Sequence, residues 1–295
     1  MPPLETSLVD LFEELDDEVN DSREKIIRAP FSYPGGKSRS VKTITSLLPI
    51  RKIYVEPFGG SGAVLLARRK SILEVFNDRY AGVVALYRVI RDEDKLKQFL
   101  DRMRIIIHSR EEFKWCKDTW ENHADDVERA ARWYYMTMCS FGSLARNFGR
   151  ATSGQNIMVS KIRNKFPEFQ PLHDRIKDVT FENQDWERMV RDFDQEDAVF
   201  YMDPPYLTAH RGTYKNEMSY DEHRHMLDTI MEMKSLVAVS GFNNELYDSY
   251  DWDERHTWDI AQSIKPMAFT DENNKTCEDG INTRTDHEEV LWIKN

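Results

Sequence analysis

The stretch RKIYVEPFGGSGAVLLARRKSILEVFNDRYAGVVALYRVIRD, residues 51–92, limits the fold more than any other part of the chain. A short β-branched and aromatic run, Ile53 to Val55, gives way to glycines and then to the helical pattern SGAVLLARRK. SILEVFND repeats the strand pattern and RYAGVVALYRVIRD the helical one. Strands joined through helices run parallel, because a crossover is needed to bring the chain back to the same end of the sheet. The stretch therefore predicts an α/β fold opening as a doubly wound parallel sheet. Such sheets bind ligands at the carboxyl ends of their strands.

The remaining chain divides around that core. Upstream, FSYPGGKSRSVKTITSLLP from Phe31 reads as a glycine turn feeding a helix that ends at Pro49. Residues 29–92 thus form the first part of the sheet domain. Residues 93–177 break the rhythm with helical patterns, followed by a basic window rich in Gly, Asn and Ser. They read as an inserted, mainly helical lobe. Residues 178–295 resume the alternation, with strands at VTFENQDW, Val199 to Met202, SLVAVSGFN and Val290 to Ile293, and a helix at DEHRHMLDTIMEMK. Trp133, Tyr134 and Tyr135 in ARWYYMTMCSF are expected in the core.

The first 28 residues form an acidic extension. Leu8, Leu11, Phe12, Leu15 and Val19 lie on one helical face, with acids on the other. Two readings stand: a helix packed on its own domain, or a docking helix, through residues 4–19, for a partner or second subunit. The segment has no basic n-region, so it does not read as a secretory signal. No apolar run approaches the ~18 residues of a membrane span. Cys116, Cys139 and Cys277 are far apart and without a CxxC, which fits a reducing cytoplasm and argues against a cysteine zinc site.

The net charge of −11 speaks mildly against a nucleic-acid partner, but the charge is uneven. Residues 1–28 hold nine acids and three bases, whereas residues 141–177 hold seven bases and two acids. Phosphate contacts are local and screened beyond ~10 Å, so an acidic chain with one basic window can bind DNA.

Three short motifs carry chemistry. EPFGGSG, Glu56 to Gly62, joins a strand to a helix, where glycines let a ligand approach the backbone and the helix N-terminus. Asp78 ends the next strand, where such folds place an acid on a ribose hydroxyl. GGKS at 35–38 is not a phosphate loop, since the glycine that a P-loop requires earlier is Phe31 and no strand precedes it. The third motif, Asp203-Pro204-Pro205-Tyr206, follows the strand Val199 to Met202. Prolines cannot continue a central strand, so the turn is rigid and holds a carboxylate beside an aromatic ring. Those fittings suit a planar base with an exocyclic amine.

YPGGK, EPFGGSG, FND and DPPY, in this order, resemble the Dam-type (class alpha) DNA adenine-N6 methyltransferases of bacteria and their phages. Tyr220-Asp221-Glu222-His223, VAVSGFN and EEVLWI add to the likeness, which runs from about Ala29 to the last strand. The resemblance implies a Rossmann-like S-adenosyl-L-methionine-dependent domain, the inserted lobe reading target DNA, and a bacterial or host-cell cytoplasm. By the same resemblance Tyr33 and Lys37 match cofactor-binding positions. Glu56, Pro57, Phe58, Gly59 and Gly62 match the loop around the methionine part, Asp78 the ribose acid, and Asp203 a residue shared with catalysis.

The implied reaction is direct methyl transfer, without metal or covalent intermediate, to an adenine flipped out of duplex DNA. The Asp203 side chain and Pro204 carbonyl would accept the amine hydrogens, with Pro205 stiffening the turn and Tyr206 stacking on the base. Arg146, Asn147, Arg150, Lys161, Arg163 and Lys165, together with Gln155 and Asn156, supply donors and acceptors suited to phosphates and base edges. An N4-cytosine enzyme, a protein-glutamine methyltransferase and an inactive accessory protein of the same fold are the alternatives. In the first the leading residue of the tetrapeptide is more often serine, and in the second it is asparagine, so Asp203 favours adenine. His223 and His225, two apart, are expected as surface or capping residues of a helix.

Overall fold

The structure, a computed structural model, describes residues 27–33, 35–140, 143, 145–149, 157–207, 217–259 and 288–295. Seven strands form one sheet: β1 (Ile53–Glu56), β2 (Leu73–Asn77), β3 (Thr180–Glu182), β4 (Ala198–Met202), β5 (Leu236–Phe242), β6 (Glu254–Asp259) and β7 (Glu288–Lys294). Their spatial order is β3-β2-β1-β4-β5-β7-β6. The first five are parallel, and β7 inserts antiparallel between β5 and β6. The order reverses between β1 and β4, so the crevice for a ligand opens there, at the carboxyl ends of the strands. The doubly wound Rossmann-like expectation holds.

Helices cover both faces. One face carries α1 (Val41–Leu47), α2 (Ala63–Ala67) and α3 (Ala81–Arg91). Packed on α3 are α4 (Glu93–Arg104) and, beyond α5 (Arg110–Thr119), α6 (Asp126–Met138) and α7 (Ile157–Ile176), with α5 resting on α6. The other face carries α8 (Trp186–Phe193), α9 (Tyr220–Glu232) and α10 (Glu245–Asp248). Strand residues alternate between the two layers: Val199 and Tyr201 join one buried cluster, Ala198, Phe200 and Met202 the other. That period of two is what a strand buried on both sides requires.

The helices of residues 93–177 share their apolar cluster with the sheet. Phe99, Met103, Trp133, Tyr134 and Phe169 belong to the same buried group as Tyr54, Phe76 and Tyr87. Trp133, Tyr134 and Tyr135 are core residues, as their pattern predicts. The segment expected as an irregular basic window instead contains the 20-residue helix α7, which continues through Pro167 and Pro171. Both prolines are on the exposed side, so the carbonyls they leave unpaired face water. Val159, Ile162, Phe169, Leu172 and Ile176 are buried at helical spacing and hold the helix down. Arg175, part of the basic window, is buried: it grips both Glu74 oxygens, at 2.5 and 2.8 Å, and the Leu65 carbonyl.

Among the described residues no helix is long and apolar enough to cross a membrane. Cys116 and Cys139 are buried thiols, each pushed up to about 12 by burial. Residues 1–26, Cys277, Arg150, Gln155 and Asn156 lie outside the described residues, and with them the amphipathic leader.

Candidate active site

A cavity of about 360 Å³ opens at the carboxyl edge, over the switch point between β1 and β4. Its wall brings together Tyr33, Lys37, Glu56, Pro57, Phe58, Gly59, Asp78, Asp203, Pro204 and Pro205, ten of the residues singled out from sequence. Four segments distant in the chain reach it because each follows a parallel strand or, for residues 33–37, precedes α1.

The glycine loop is shaped by packing. A Cβ on Gly59 would stand 2.2 Å from the Phe76 ring, so only glycine lets the loop lie on β2. Gly62, outside the cavity wall, caps α2 with φ of +68°, a left-handed conformation that favours glycine. Asn77 ties the edge together. Its amide donates to the Pro57 carbonyl at 2.8 Å and the Gln184 carbonyl at 3.0 Å, and its Oδ1 accepts from Gln184 N–H at 2.8 Å.

Two carboxyls at this edge are held above their ordinary range. Burial raises Asp78 to about 6, although it accepts the Gly60 and Tyr80 N–H groups, each at 2.7 Å. Burial raises Glu56 to about 8, against the lowering effects of the Tyr54 hydroxyl, the Leu65 backbone and Arg68. The Tyr54 hydroxyl donates to Glu56 Oε1 at 2.5 Å.

Asp203 is raised by burial too, and the Lys37 ammonium beside it opposes that shift. Lys37 Nζ donates to Oδ1 at 2.5 Å, to Oδ2 at 2.6 Å and to the Gly35 carbonyl at 2.9 Å. Ser240 Oγ adds a bond to Oδ1 at 2.9 Å. Each carboxylate oxygen has two lone-pair sites, so among the described residues Oδ1 has two donors and Oδ2 one. With 19% of the Asp203 side chain exposed and the residue on the cavity wall, the carboxylate can be reached from the cavity.

Tyr206 differs from its expected open platform. The residue is 8% exposed and absent from the cavity wall. It meets Phe242 edge-on at 4.6 Å, lies under Lys37 Nζ at 4.7 Å, and donates its hydroxyl to Glu289 Oε1 at 2.9 Å. Glu289 draws the ring inward because a buried carboxylate needs donors.

His223 also departs from expectation: it is fully buried, with Nδ1 2.9 Å from the Tyr247 hydroxyl. It shares a helical stripe with Met226, Leu227 and Ile230. His225 is exposed and sits at the cavity rim, 3.0 Å from Glu187.

The sequence reading missed the third side of the cavity. Gln184, Asp185, Trp186 and Glu187 come after β3, and the Trp186 ring stacks with Phe58 at 6.5 Å and 28°. Glu217 and Met218, just before α9, and Glu222 in its first turn complete that side. No local pattern marks them: it is the parallel pairing of β3 with β2, Asn77 opposite Glu182, that puts residues 183–187 beside Asp78.

The described basic candidates are divided between residues 146–147 and helix α7. Arg146 and Asn147 are exposed, and Lys117 donates to the Arg146 carbonyl. Lys161 and Arg163 are exposed on α7, about 200° apart around the helix. Lys165 pairs with Glu168 at 2.7 Å.

Residues 33–265 match the family of D12 class N6 adenine-specific DNA methyltransferases, and the chain belongs to that family. It is a DNA adenine-N6 methyltransferase, and the choice between adenine and cytosine falls to adenine. The Type II methyltransferase M.MjaIII of Methanocaldococcus jannaschii is 25% identical over 217 residues, 65% of this chain and 74% of that protein. Among solved structures, the rRNA methyltransferase aviRa from Streptomyces viridochromogenes is 12% identical with a TM-score of 0.37, covering 94% of this chain and 92% of its own.

Proposed function

We propose that the protein is a Dam-type, class alpha, site-specific enzyme that methylates N6 of an adenine flipped from duplex DNA, with S-adenosyl-L-methionine as donor. The observation that carries this reading is the partly exposed Asp203 carboxylate on the wall of a glycine-lined cavity at the switch point, its Oδ2 holding one donor among the described residues.

S-Adenosyl-L-methionine supplies a methyl group bonded to a positively charged sulfur. The residues present fit such a group. Gly59 and Gly60 leave backbone open to it, Asp78 offers acceptors for a ribose diol, and Phe58 with Trp186 forms an apolar slot for a flat ring. Tyr33, Lys37, Glu56 and Pro57 complete the wall. Asp203 and the Pro204 carbonyl orient the amine and draw on its hydrogens, which returns electron density to nitrogen. Rate is gained by positioning and electrostatics. Lys37 fixes the Asp203 carboxylate until substrate arrives.

The insert at 93–177 would read the target, with Arg146, Asn147, Arg150, Lys161, Arg163 and Lys165 as candidates for phosphate and base contacts. The Type II name of the methanogen relative supports membership of a restriction-modification pair. Two tests apply. Tritiated S-adenosyl-L-methionine should label unmethylated DNA, and digestion of the product should yield N6-methyladenine. Asp203→Ala should abolish transfer while DNA still binds; retained transfer at the normal rate refutes the assignment.

A further inference from the structure

Glu289 stands outside the glycine loops and the Asp203 tetrapeptide, yet three parts of the site converge on it. It is 2% exposed near the start of β7, paired with Phe242 of β5 and Trp258 of β6. Because β7 is antiparallel, its first residues, rather than its last, lie at the ligand edge. The side chain points to the layer of α1, with Leu291 and Ile293 on the same face. One oxygen accepts the Tyr206 hydroxyl at 2.9 Å and lies 3.5 Å from Lys37 Nζ. The other accepts from Ser40 Oγ, which in turn accepts from Trp258 Nε1 at 3.0 Å.

Burying a carboxylate is costly unless it is paired and hydrogen-bonded, and this one is held from three sides. Its position has a chemical consequence. Lys37 stands between two acids, bound closely to Asp203 and within reach of Glu289. An amine arriving at Asp203 must compete with Lys37 for the carboxylate oxygens. A second acid gives the ammonium somewhere to lean as the amine arrives, so Asp203 can release it without leaving a bare buried cation.

We propose that Glu289 is a positioning residue for methyl transfer: it fixes the Tyr206 ring through the hydroxyl and acts as the second counter-charge that lets Lys37 yield Asp203 to the substrate amine. The inference rests on the reading of Asp203 as the acceptor of the amine.

The test uses the full chain with Glu289→Gln, which keeps size and hydrogen bonding but removes charge, and Glu289→Asp, which keeps charge but withdraws from Tyr206. The first readout needs neither cofactor nor DNA. Titration of Asp203 is followed by NMR of protein labelled at the aspartate carboxyl carbons, with the signal assigned by its loss in Asp203→Asn. Among the described residues, Lys37, Glu289, Tyr201, Glu56 and Tyr247 are the charged and titratable groups that bear on Asp203. Removing the like charge of Glu289 should move the midpoint down in Glu289→Gln and leave it in place in Glu289→Asp.

The second readout is turnover on unmethylated DNA. Both variants should lose kcat, by up to about 100-fold for a misplaced reacting group, with KM for the cofactor near wild type. The loss in Glu289→Asp should not add to that of Tyr206→Phe, since both cut the same hydrogen bond. An unmoved midpoint in Glu289→Gln, an undiminished kcat or additive losses each overturn the inference while leaving the adenine reading intact. A wild-type protein inert on DNA overturns both. Should Glu289→Gln fail to fold, Glu289→Asn carries the charge readout and Glu289→Asp with Tyr206→Phe the hydrogen-bond readout, with the same outcomes overturning the inference.

Discussion

Cofactor binding should discharge a proton from Glu56. With the carboxyl raised to about 8, roughly nine-tenths of the molecules hold this proton at pH 7. S-Adenosyl-L-methionine brings a sulfonium and an ammonium, and positive charge nearby favours the ionised carboxylate. Binding at pH 7 then releases close to one proton and costs about 1.4 kcal/mol compared with binding well above pH 8, a factor of about ten in affinity. Affinity should rise about tenfold per pH unit below about 8 and level off above it. Asp78, raised to about 6, should steepen the slope at the acid end.

Calorimetry in two buffers of different ionisation heat counts the protons directly. The wild type should release close to one at pH 7, and Glu56→Gln close to none. No release from the wild type would mean that Glu56 keeps its proton in the complex or never held it, and the reasoning from burial would fail. The sign for stability is opposite. The folded chain holds this proton up to about pH 8, whereas an ordinary glutamate loses it near 4.5. Stability should therefore fall as pH rises through that window, and thermal melts of Glu56→Gln should lose the slope between about pH 6 and 8, where Asp78 no longer contributes.

Other outcomes rest on packing and charge. Arg175→Leu leaves Glu74 buried with Arg68, 3.6 Å away, and a long bond from the Ser71 N–H at 3.4 Å, and should cost about 3–5 kcal/mol of stability, read by denaturant unfolding. Gly59→Ala drives a methyl group against the Phe76 ring, so cofactor binding should weaken, and Phe76→Leu should restore part of it in the double variant. Trp186→Ala removes one wall of the aromatic slot and should weaken S-adenosyl-L-methionine by about 1–3 kcal/mol, the range for base–aromatic stacking, as measured by calorimetry.

What could be read from sequence was whatever sits at the end of a parallel strand within a few residues. The turn after β1, Asp78 after β2 and the tetrapeptide after β4 are local patterns, and the sheet rule carries them to one edge. What escaped depends on pairing between distant segments. Trp186 belongs to the site only because β3 pairs beside β2. Glu289 belongs because an antiparallel strand delivers its first residues there. His223, two residues from His225, reads as a surface or capping residue, but Met226, Leu227 and Ile230 place it on the buried stripe. The prolines hid α7, because a helix interior disfavours them unless, as here, they face water.

The placement of charge on α7 makes the DNA question sharper than net charge does. Arg175 serves Glu74 and Lys165 serves Glu168, so both have internal partners. Lys161 and Arg163 remain exposed on α7, but about 200° separates them around the axis. A straight duplex lying along one side of the helix can meet only one of the two. Deleting a side chain that meets a phosphate should reduce the salt slope of DNA affinity by about one. Lys161→Ala and Arg163→Ala, compared over a range of salt, should therefore split: one slope falls by about one and the other stays. If both fall, the DNA wraps the helix or enters at its end, and the idea of a single DNA-facing side of α7 is refuted.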